Sequence, residues 1–105
     1  MEKLEDLIEE VKDFRDKRNW KKYHTPKNLA LSISIEAAEL LELFQWKEDS
    51  LKNVDEERLE EEMADIMIYL LALSEITDVD LKEAVKTKLE KNRKKYPPEE
   101  VHFDR

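Results

Sequence analysis

Apolar residues near the start of the chain recur every three or four positions, with charged residues between them. This spacing places the apolar side chains on one face of an α-helix and the charged ones on the other. The pattern predicts a first amphipathic helix from about residue 2 to residue 18. Its apolar face is formed by Leu4, Leu7, Ile8, Val11 and Phe14.

A second helix is predicted after a break in this pattern. Residues 19–26, NWKKYHTP, mix aromatic and basic residues without helical spacing. Thr25 followed by Pro26 is a favourable helix start, because threonine can cap free amides and proline suits the first helical position. The helix is expected to run to about Trp46, after which the polar segment KEDSLKNVD connects it to the next one.

Two further helices complete the predicted fold. Residues 55–76, DEERLEEEMADIMIYLLALSEI, predict a third helix whose acidic first turn complements the positive end of the helix dipole. Asp80 and Glu83 have the spacing of a capping box, so a fourth helix is expected from there to about Tyr96. The two prolines that follow end it and leave the short tail EEVHFDR. The predicted fold class is all-α.

The composition supports this fold class. Glycine is absent and 44% of residues are charged, which is typical of long helices joined by polar turns rather than of sheets with tight hairpins. With 105 residues, 40% of them hydrophobic, residues 1–105 are expected to fold as one domain around a modest core.

Charge and cysteine usage exclude several classes of function. The formal net charge of -8 argues against electrostatic attraction to nucleic acids and to anionic membrane surfaces. The absence of cysteine excludes disulfides, thiolate zinc sites and cysteine nucleophiles. No apolar stretch has the length of a signal peptide core or a membrane span. We therefore expect a cytoplasmic protein.

Two pairs of acids lie among apolar residues of the second and third helices. Glu36 and Glu39 share a sector that Leu29 and Leu43 flank on one side and Ile35 and Trp46 on the other. Glu62 and Asp65 share a similar sector with Tyr69 on the third helix. A single pair of acids three apart is usually a solvated helix face. Two pairs walled by aliphatic residues are harder to explain that way, because unpaired buried carboxylates are costly.

A divalent cation would compensate the repulsion among these four carboxylates. Oxygen ligands without thiols suit a hard ion, so Mg²⁺ is the expected cofactor and Mn²⁺ a plausible substitute. A di-iron bundle would need two Glu-x-x-His pairs on facing helices, whereas His24 follows Lys21 at this spacing and the one such pair, Glu99 and His102, lies in the tail.

Both acid-bearing helices also carry apolar residues on their opposite side, namely Ala30, Ala37, Leu41, Met67 and Leu71. One face would fill the chain's own core, and the other is expected to contact a partner chain.

Cations and aromatic residues occur around the acid pairs. Lys88 and Asn92 lie within the apolar stripe of the fourth helix, where they suit a phosphate and a hydrogen-bonded ligand, although either alone is more simply a surface residue. Arg93 adds positive charge, which a basic last turn also provides to the helix dipole. The residues predicted to cluster near the ends of the first two helices, as core caps or as walls for a nucleobase, are Trp20, Tyr23, His24 and Trp46.

Four motifs in register resemble a known family. They are W-x-x-Y-H-x-P-K-N-L at 20–29, E-x-x-E-L-x-E-L-F-Q-W-K at 36–47, E-E-x-x-D-x-x-x-Y-L at 61–70 and N-R-K-K-Y-P at 92–97. Through nearly its whole length the chain resembles the MazG-like all-α nucleotide pyrophosphohydrolases, and most closely their dCTP pyrophosphatase branch. The resemblance implies a four-helix bundle that assembles into a dimer or tetramer, with the site near the subunit interface.

The resemblance also implies an activity and roles for the matching residues. The expected reaction is hydrolysis of a nucleoside triphosphate, such as dCTP or a modified dNTP, to the monophosphate and pyrophosphate. Glu36, Glu39, Glu62 and Asp65 would bind Mg²⁺, and either Glu36 or Glu39 would activate water. The remaining implied roles are β- and γ-phosphate binding by Lys88 with Arg93, phosphate or sugar binding by Tyr69, and base or sugar binding by Trp20, His24, Trp46 and Asn92.

Two rival functions remain open from the sequence. The chain could be a non-catalytic helical interaction module in which the acid pairs only increase solubility. It could also be a hydrolase of the same scaffold that acts on dUTP or phosphoribosyl-ATP.

Overall fold

The computed structural model describes residues 2–46 and 53–98. Within these ranges the chain forms four α-helices and one short 3₁₀-helix. The α-helices are α1 (Leu4–Lys17), α2 (Pro26–Glu42), α3 (Glu56–Thr77) and α4 (Leu81–Lys95), and the 3₁₀-helix is Lys21–Tyr23. The prediction of an all-α fold with four helices is confirmed, whereas the 3₁₀-helix has no counterpart in the predicted elements.

Helix α1 begins and ends within the predicted range. The backbone N–H of Lys3 donates to the Asp6 carboxylate at 2.9 Å, which satisfies an amide at the start of the helix. The helix is followed by Asn19 with φ of 55°, a left-handed conformation that usually favours glycine. The chain has no glycine, and asparagine is one of the other residues that adopt this region most readily. Asn19 therefore follows the end of the helix.

Helix α2 starts as predicted but ends earlier. The Thr25 hydroxyl accepts a hydrogen bond from the Asn28 amide at 3.2 Å, and Pro26 occupies the first turn. The prediction that the helix continues to about Trp46 is wrong, because the α-helix ends at Glu42. The next residues form tighter turns, with the Phe44 amide donating to the Leu41 carbonyl at 3.0 Å, three residues back instead of four.

Helices α3 and α4 each begin at an aspartate cap. The Asp55 carboxylate accepts from the Arg58 amide at 3.2 Å, and the Asp80 carboxylate accepts from the Glu83 amide at 3.1 Å, as the sequence predicts for α4. Asp78 ends α3 in the left-handed conformation, with φ of 59°. Helix α4 ends just before the predicted Tyr96.

Helix α3 is the centre of the packing. Helix α2 packs along it most extensively, and α1 packs against it to a lesser degree. Leu29 and Leu43 of the α2 region and Leu71 and Ala72 of α3 are the buried apolar side chains among the described residues. The core is therefore a narrow strip between helices, which is what a chain of this length can build.

Helix α4 makes only slight contact with the other described helices. Its residues are exposed apart from Leu81 and Asn92, which are half-buried. Val85 is 51% exposed and Leu89 47% exposed, so the apolar stripe of α4 has no cover in the described part of this chain. The four predicted helices are present, but the described chain does not pack α4 into a closed four-helix bundle.

Further apolar side chains are exposed on the outer sides of α2 and α3, including Leu31, Ile35, Leu41, Met63, Met67 and Ile68. None of the described helices is long and apolar enough to cross a membrane.

Candidate metal centre

The two predicted acid pairs meet between α2 and α3. Glu36, Glu62 and Asp65 each offer one carboxylate oxygen, and these oxygens lie within 4.8 Å of one another. Glu39 lies close enough for its carboxyl group to hydrogen-bond those of Glu36 and Glu62. We call these four residues the carboxylate cluster. The prediction that the acids gather between two consecutive helices is confirmed for Glu36, Glu62 and Asp65.

Helical spacing explains how the cluster forms. In each pair the acids are three residues apart, so both point from the same side of their helix. The packing of α2 along α3 then brings the two sides together, and Glu62 is only 9% exposed. Glu36, Glu39 and Asp65 are half-buried.

The apolar walls of the cluster differ from the predicted ones. Leu29 and Leu43 are buried beside the helix contact, as expected for one wall. The prediction that Ile35 and Trp46 form the second wall is wrong, since Ile35 is 59% exposed and Trp46 is 92% exposed. Trp46 stands four residues beyond the end of α2, where the helical register used for the prediction no longer applies.

The pKa of Glu36 is raised from 4.5 to about 7. The main cause is the hydrogen bond to the Glu39 carboxyl group, followed by burial and by the charges of Glu39, Asp65 and Glu62. Burial also raises the pKa of Glu62, together with the charge of Glu39, while the nearby cation Arg58 opposes this effect.

The cluster has the donor set of a hard-cation site. One carboxylate oxygen of Glu36 and one of Glu62, both Oε2, are buried without a hydrogen-bond partner among the described residues. Buried anionic oxygens without partners are costly unless a proton or a cation compensates them. Oxygen ligands alone favour Mg²⁺ or Mn²⁺ over softer metals. The residues present therefore fit a divalent cation.

The predicted phosphate-binding residues lie in two places. Tyr69 is half-buried on α3, one turn after Asp65 and thus on the side of the cluster. Lys88 and Arg93 are on α4, where both are exposed, and Arg93 donates to Glu90 at 2.8 Å. Since α4 only slightly contacts the other helices, the described chain does not bring these cations to the acids. Their roles remain predictions.

The predicted base-binding residues are also divided. Trp20 packs edge-on against Phe14 at 5.8 Å, and half-buried His24 follows in the same segment before α2. Trp46 lies past the opposite end of α2, a helix of 17 residues that spans about 25 Å. The predicted clustering of Trp46 with Trp20 and His24 within one chain is therefore wrong. Asn92 is half-buried on α4.

Two arginines beside the helix contacts were not among the residues predicted from the sequence. Arg15 is 1% exposed and pairs with Glu75 of α3 at 2.7 Å. Its position continues the series Leu4, Ile8 and Val11 at helical spacing, a signal that could have placed it on the inner face of α1. Arg58 stands one turn before Glu62, and its positive charge opposes the rise in the pKa of that acid.

Comparison with known proteins agrees with this arrangement. Residues 31–103 match the MazG-like family, a span that includes the whole carboxylate cluster. The chain is 42% identical to dCTP pyrophosphatase 1 of Mus musculus, with 97% of this chain and 62% of that protein aligned. It is 40% identical to dCTP pyrophosphatase 1 of Homo sapiens, over 90% of this chain and 59% of that protein. The chain thus spans less than two thirds of the length of these curated relatives.

A solved structure extends the likeness to the backbone. A pyrophosphatase from Archaeoglobus fulgidus superposes with a TM-score of 0.85 at 50% sequence identity, covering 92% of this chain and 94% of that one. This identity extends over nearly the full length of both chains, and the family match covers residues 31–103. This chain therefore belongs to the MazG-like family.

Proposed function

We propose that this chain is a Mg²⁺-dependent nucleotide pyrophosphohydrolase that converts a deoxynucleoside triphosphate, with dCTP or a modified dNTP as first candidate, to the monophosphate and pyrophosphate. The observation that carries the proposal is the carboxylate cluster, in which buried oxygens of Glu36 and Glu62 lack partners. The names of the mouse, human and archaeal relatives support the same chemistry.

Glu36, Glu62 and Asp65, with Glu39 beside them, would hold the cation. When bound, Mg²⁺ would neutralise charge on the phosphate oxygens and increase the acidity of nearby water. Without it, four carboxylates would repel a triphosphate that carries several negative charges of its own. The cation is therefore required for binding as well as for chemistry.

The chain's own residues would orient the attacking water and remove a proton from it. Glu36 and Glu39 are the candidates for the carboxylate that takes a proton from the attacking water. Glu39 is not one of the three residues whose oxygens lie within 4.8 Å of one another, but it lies beside two of them, Glu36 and Glu62. This position favours Glu39 as the base. The water oxygen would bond to the α-phosphorus, and the bond to the α–β bridging oxygen would break, releasing pyrophosphate.

The remaining substrate contacts are assigned to the residues that the sequence indicates. Tyr69, one turn after Asp65, would contact a phosphate or the sugar. Lys88 and Arg93 would bind the terminal phosphates, and the base and sugar would lie against Trp20, His24, Trp46 and Asn92. Because Trp20 and Trp46 lie beyond opposite ends of α2, one pocket can include both only if two copies of the chain contribute.

We therefore also propose that residues 1–105 form one functional domain that acts as a homo-oligomer, a dimer or a tetramer. The exposed apolar side chains on α2, α3 and α4 support this, since contiguous exposed apolar surface is typical of subunit interfaces. A second copy would cover the apolar stripe of α4 and could bring Lys88 and Arg93 to the cluster. Light scattering of the purified protein measures the assembly directly, and a monomer at micromolar concentration would contradict this proposal.

The activity is tested with a panel of dNTPs, dUTP and phosphoribosyl-ATP in the presence of Mg²⁺, with pyrophosphate and orthophosphate followed separately. We expect pyrophosphate as the primary product. In ¹⁸O-labelled water the label should appear in the monophosphate, because the attack is on the α-phosphorus. Orthophosphate as the first product, or label in pyrophosphate, would contradict cleavage at the α–β linkage.

Matched variants connect the activity to the cluster. Asp65→Asn and Glu39→Gln should each lower kcat at least about a hundredfold while circular dichroism shows unchanged helix content. Glu60→Gln, on the exposed side of the same helix as Asp65, is the control and should remain active. If wild type hydrolyses none of the nucleotides and the cluster variants unfold, the interaction-module alternative is favoured instead.

A further inference from the structure

Helix α1 ends in a compact hydrogen-bonded turn that holds the main chain of Trp20. The Trp20 amide donates to the Arg15 carbonyl at 3.1 Å, and the Asn19 amide donates to the Asp16 carbonyl at 3.1 Å. Asn19 is in the left-handed region, and together with these two bonds it forms the Schellman motif that commonly ends a helix. The motif fixes the point at which the Trp20 side chain leaves the backbone.

The side chain of Trp20 packs against Phe14 of α1. The two ring centroids are 5.8 Å apart and the ring planes are inclined at 70°, which is the edge-to-face arrangement that aromatic pairs prefer. An apolar contact between these two positions often accompanies a Schellman motif. Trp20 is nevertheless 43% exposed, so part of its indole surface is open to a ligand.

Arg18 connects Phe14 and Trp20. Its guanidinium carbon lies over the Phe14 ring, 3.5 Å from the ring centroid, and 6.0 Å from the centroid of the Trp20 ring. Its Nη1 donates to the Phe14 carbonyl at 3.0 Å, while its amide donates to the Arg15 carbonyl at 3.2 Å. The Phe14 carbonyl is one of the last four of α1, which need acceptor partners at a helix end. One side chain thus satisfies a backbone acceptor and lies beside both aromatic rings.

We propose that Arg18 is a positioning residue that, by stacking on Phe14, holds the Trp20 ring in one orientation before substrate binds. A planar guanidinium stacks on aromatic faces and loses little further freedom once a hydrogen bond fixes it. An indole that is already oriented costs less to order when a planar base stacks on it. The step from Trp20 to the base rests on the proposed function, which assigns Trp20 to the base or sugar.

Two simpler roles for Arg18 are to be distinguished from positioning. It could only cap α1, because basic side chains near the end of a helix often bond its last carbonyls. It could also only attract the anionic nucleotide through its charge. Arg18→Lys separates positioning from both, since lysine keeps the charge and a donor for the Phe14 carbonyl but lacks the planar group that stacks. Lys17→Gln is the control for charge, because Lys17 is the exposed cation next to Arg18.

Near-ultraviolet circular dichroism measures the ordering of Trp20 without any nucleotide. The chain has two tryptophans, so Trp46→Phe leaves the tryptophan band of Trp20 alone. In this background we expect Arg18→Lys to lose most of that band and Lys17→Gln to keep it, with helix content in the far ultraviolet unchanged in both. A tryptophan band of wild-type strength in Arg18→Lys would overturn the proposal.

Kinetics measures the consequence for substrate binding in chains that keep Trp46. Arg18→Lys should raise KM for the preferred nucleotide about two- to fivefold with kcat nearly unchanged, which corresponds to the loss of one exposed cation–aromatic contact. Lys17→Gln should leave KM near the wild-type value. A wild-type KM in Arg18→Lys, or an equal rise in Lys17→Gln, would contradict a positioning role.

A double-mutant cycle tests whether Arg18 acts through the Phe14 ring. Phe14→Leu keeps an apolar side chain but removes the ring on which Arg18 stacks. In the Phe14→Leu background, Arg18→Lys should therefore raise KM no further, whereas effects that multiply would show independent action and overturn the proposal. If wild type hydrolyses no nucleotide, the proposed function fails, and the tryptophan band still decides whether Arg18 orders Trp20.

Discussion

Binding of Mg²⁺ to the carboxylate cluster is expected to release protons near neutral pH. The pKa of Glu36 is about 7 in the metal-free protein, since it shares a hydrogen bond with Glu39 and lies among further acids. A carboxylate must be ionised to ligate a cation, so the proton on Glu36 and the metal compete. The prediction is tested by adding Mg²⁺ to the metal-free protein at a series of pH values.

The magnitude follows from the protonated fraction of Glu36. A group with pKa about 7 releases about 0.9 proton per bound ion at pH 6, about 0.5 at pH 7 and about 0.1 at pH 8. The same competition weakens the apparent affinity for Mg²⁺ about tenfold at pH 6 relative to pH 8. Glu62, whose pKa is also raised, can only increase the release.

Isothermal titration calorimetry in two buffers of different ionisation enthalpy measures the released protons directly. Glu60→Gln is the control, because this exposed residue lies on α3 outside the cluster and should leave the release unchanged. Binding enthalpies that are independent of the buffer at pH 6, or equal affinities at pH 6 and pH 8, would refute the reasoning.

The same pKa shift predicts how metal-free stability depends on pH. The folded state holds the Glu36 proton more tightly than the unfolded chain, whose carboxyl titrates near 4.5. The free energy of unfolding of the metal-free protein should therefore fall as pH rises from about 4.5 through about 7, and saturating Mg²⁺ should remove this fall. Denaturant titrations at several pH values, with and without Mg²⁺, measure this free energy of unfolding.

Two further predictions concern stability alone. Glu75→Ala should lower the free energy of unfolding by about 3 kcal/mol, because it leaves the buried Arg15 charge without its main partner. The control Glu90→Ala breaks an exposed pair and should lower it by no more than about 0.5 kcal/mol. Equal losses of the two variants in urea titrations would contradict this prediction. Asp78→Gly should raise the free energy of unfolding by about 0.5–1 kcal/mol, since φ of 59° suits glycine better, and an unchanged or lower melting temperature would count against this.

The sequence predicts the helices well because their signals are local. Caps at Thr25 and Asp80 and the apolar periodicity of α1 depend on residues within one or two turns of each other. The early end of α2 was missed because residues 43–46 keep a helical composition while their hydrogen bonds shorten to three residues. Composition does not distinguish an α-helix from tighter turns at such an end.

The carboxylate cluster could be predicted because each acid pair lies on one helix and the two helices are consecutive. The spacing of Arg15 could have placed it on the inner face of α1, but its pairing with Glu75 could not be predicted, since the two residues are 60 positions apart. The exposure of Trp46 and of the α4 stripe depends on what covers them, and helical spacing does not say whether an apolar face packs within the chain or against another surface.

The distribution of apolar residues explains why a small domain can tolerate the cluster. The inner side of the α2–α3 contact, which would ordinarily provide the core, includes Glu62 at 9% exposure beside half-buried Glu36 and Asp65. Apolar side chains such as Met67 and Ile68 lie on the outer side, where they can contribute to stability only through another surface. Replacing an inner acid with an apolar residue should therefore stabilise the chain and remove the site, because the same positions serve both purposes.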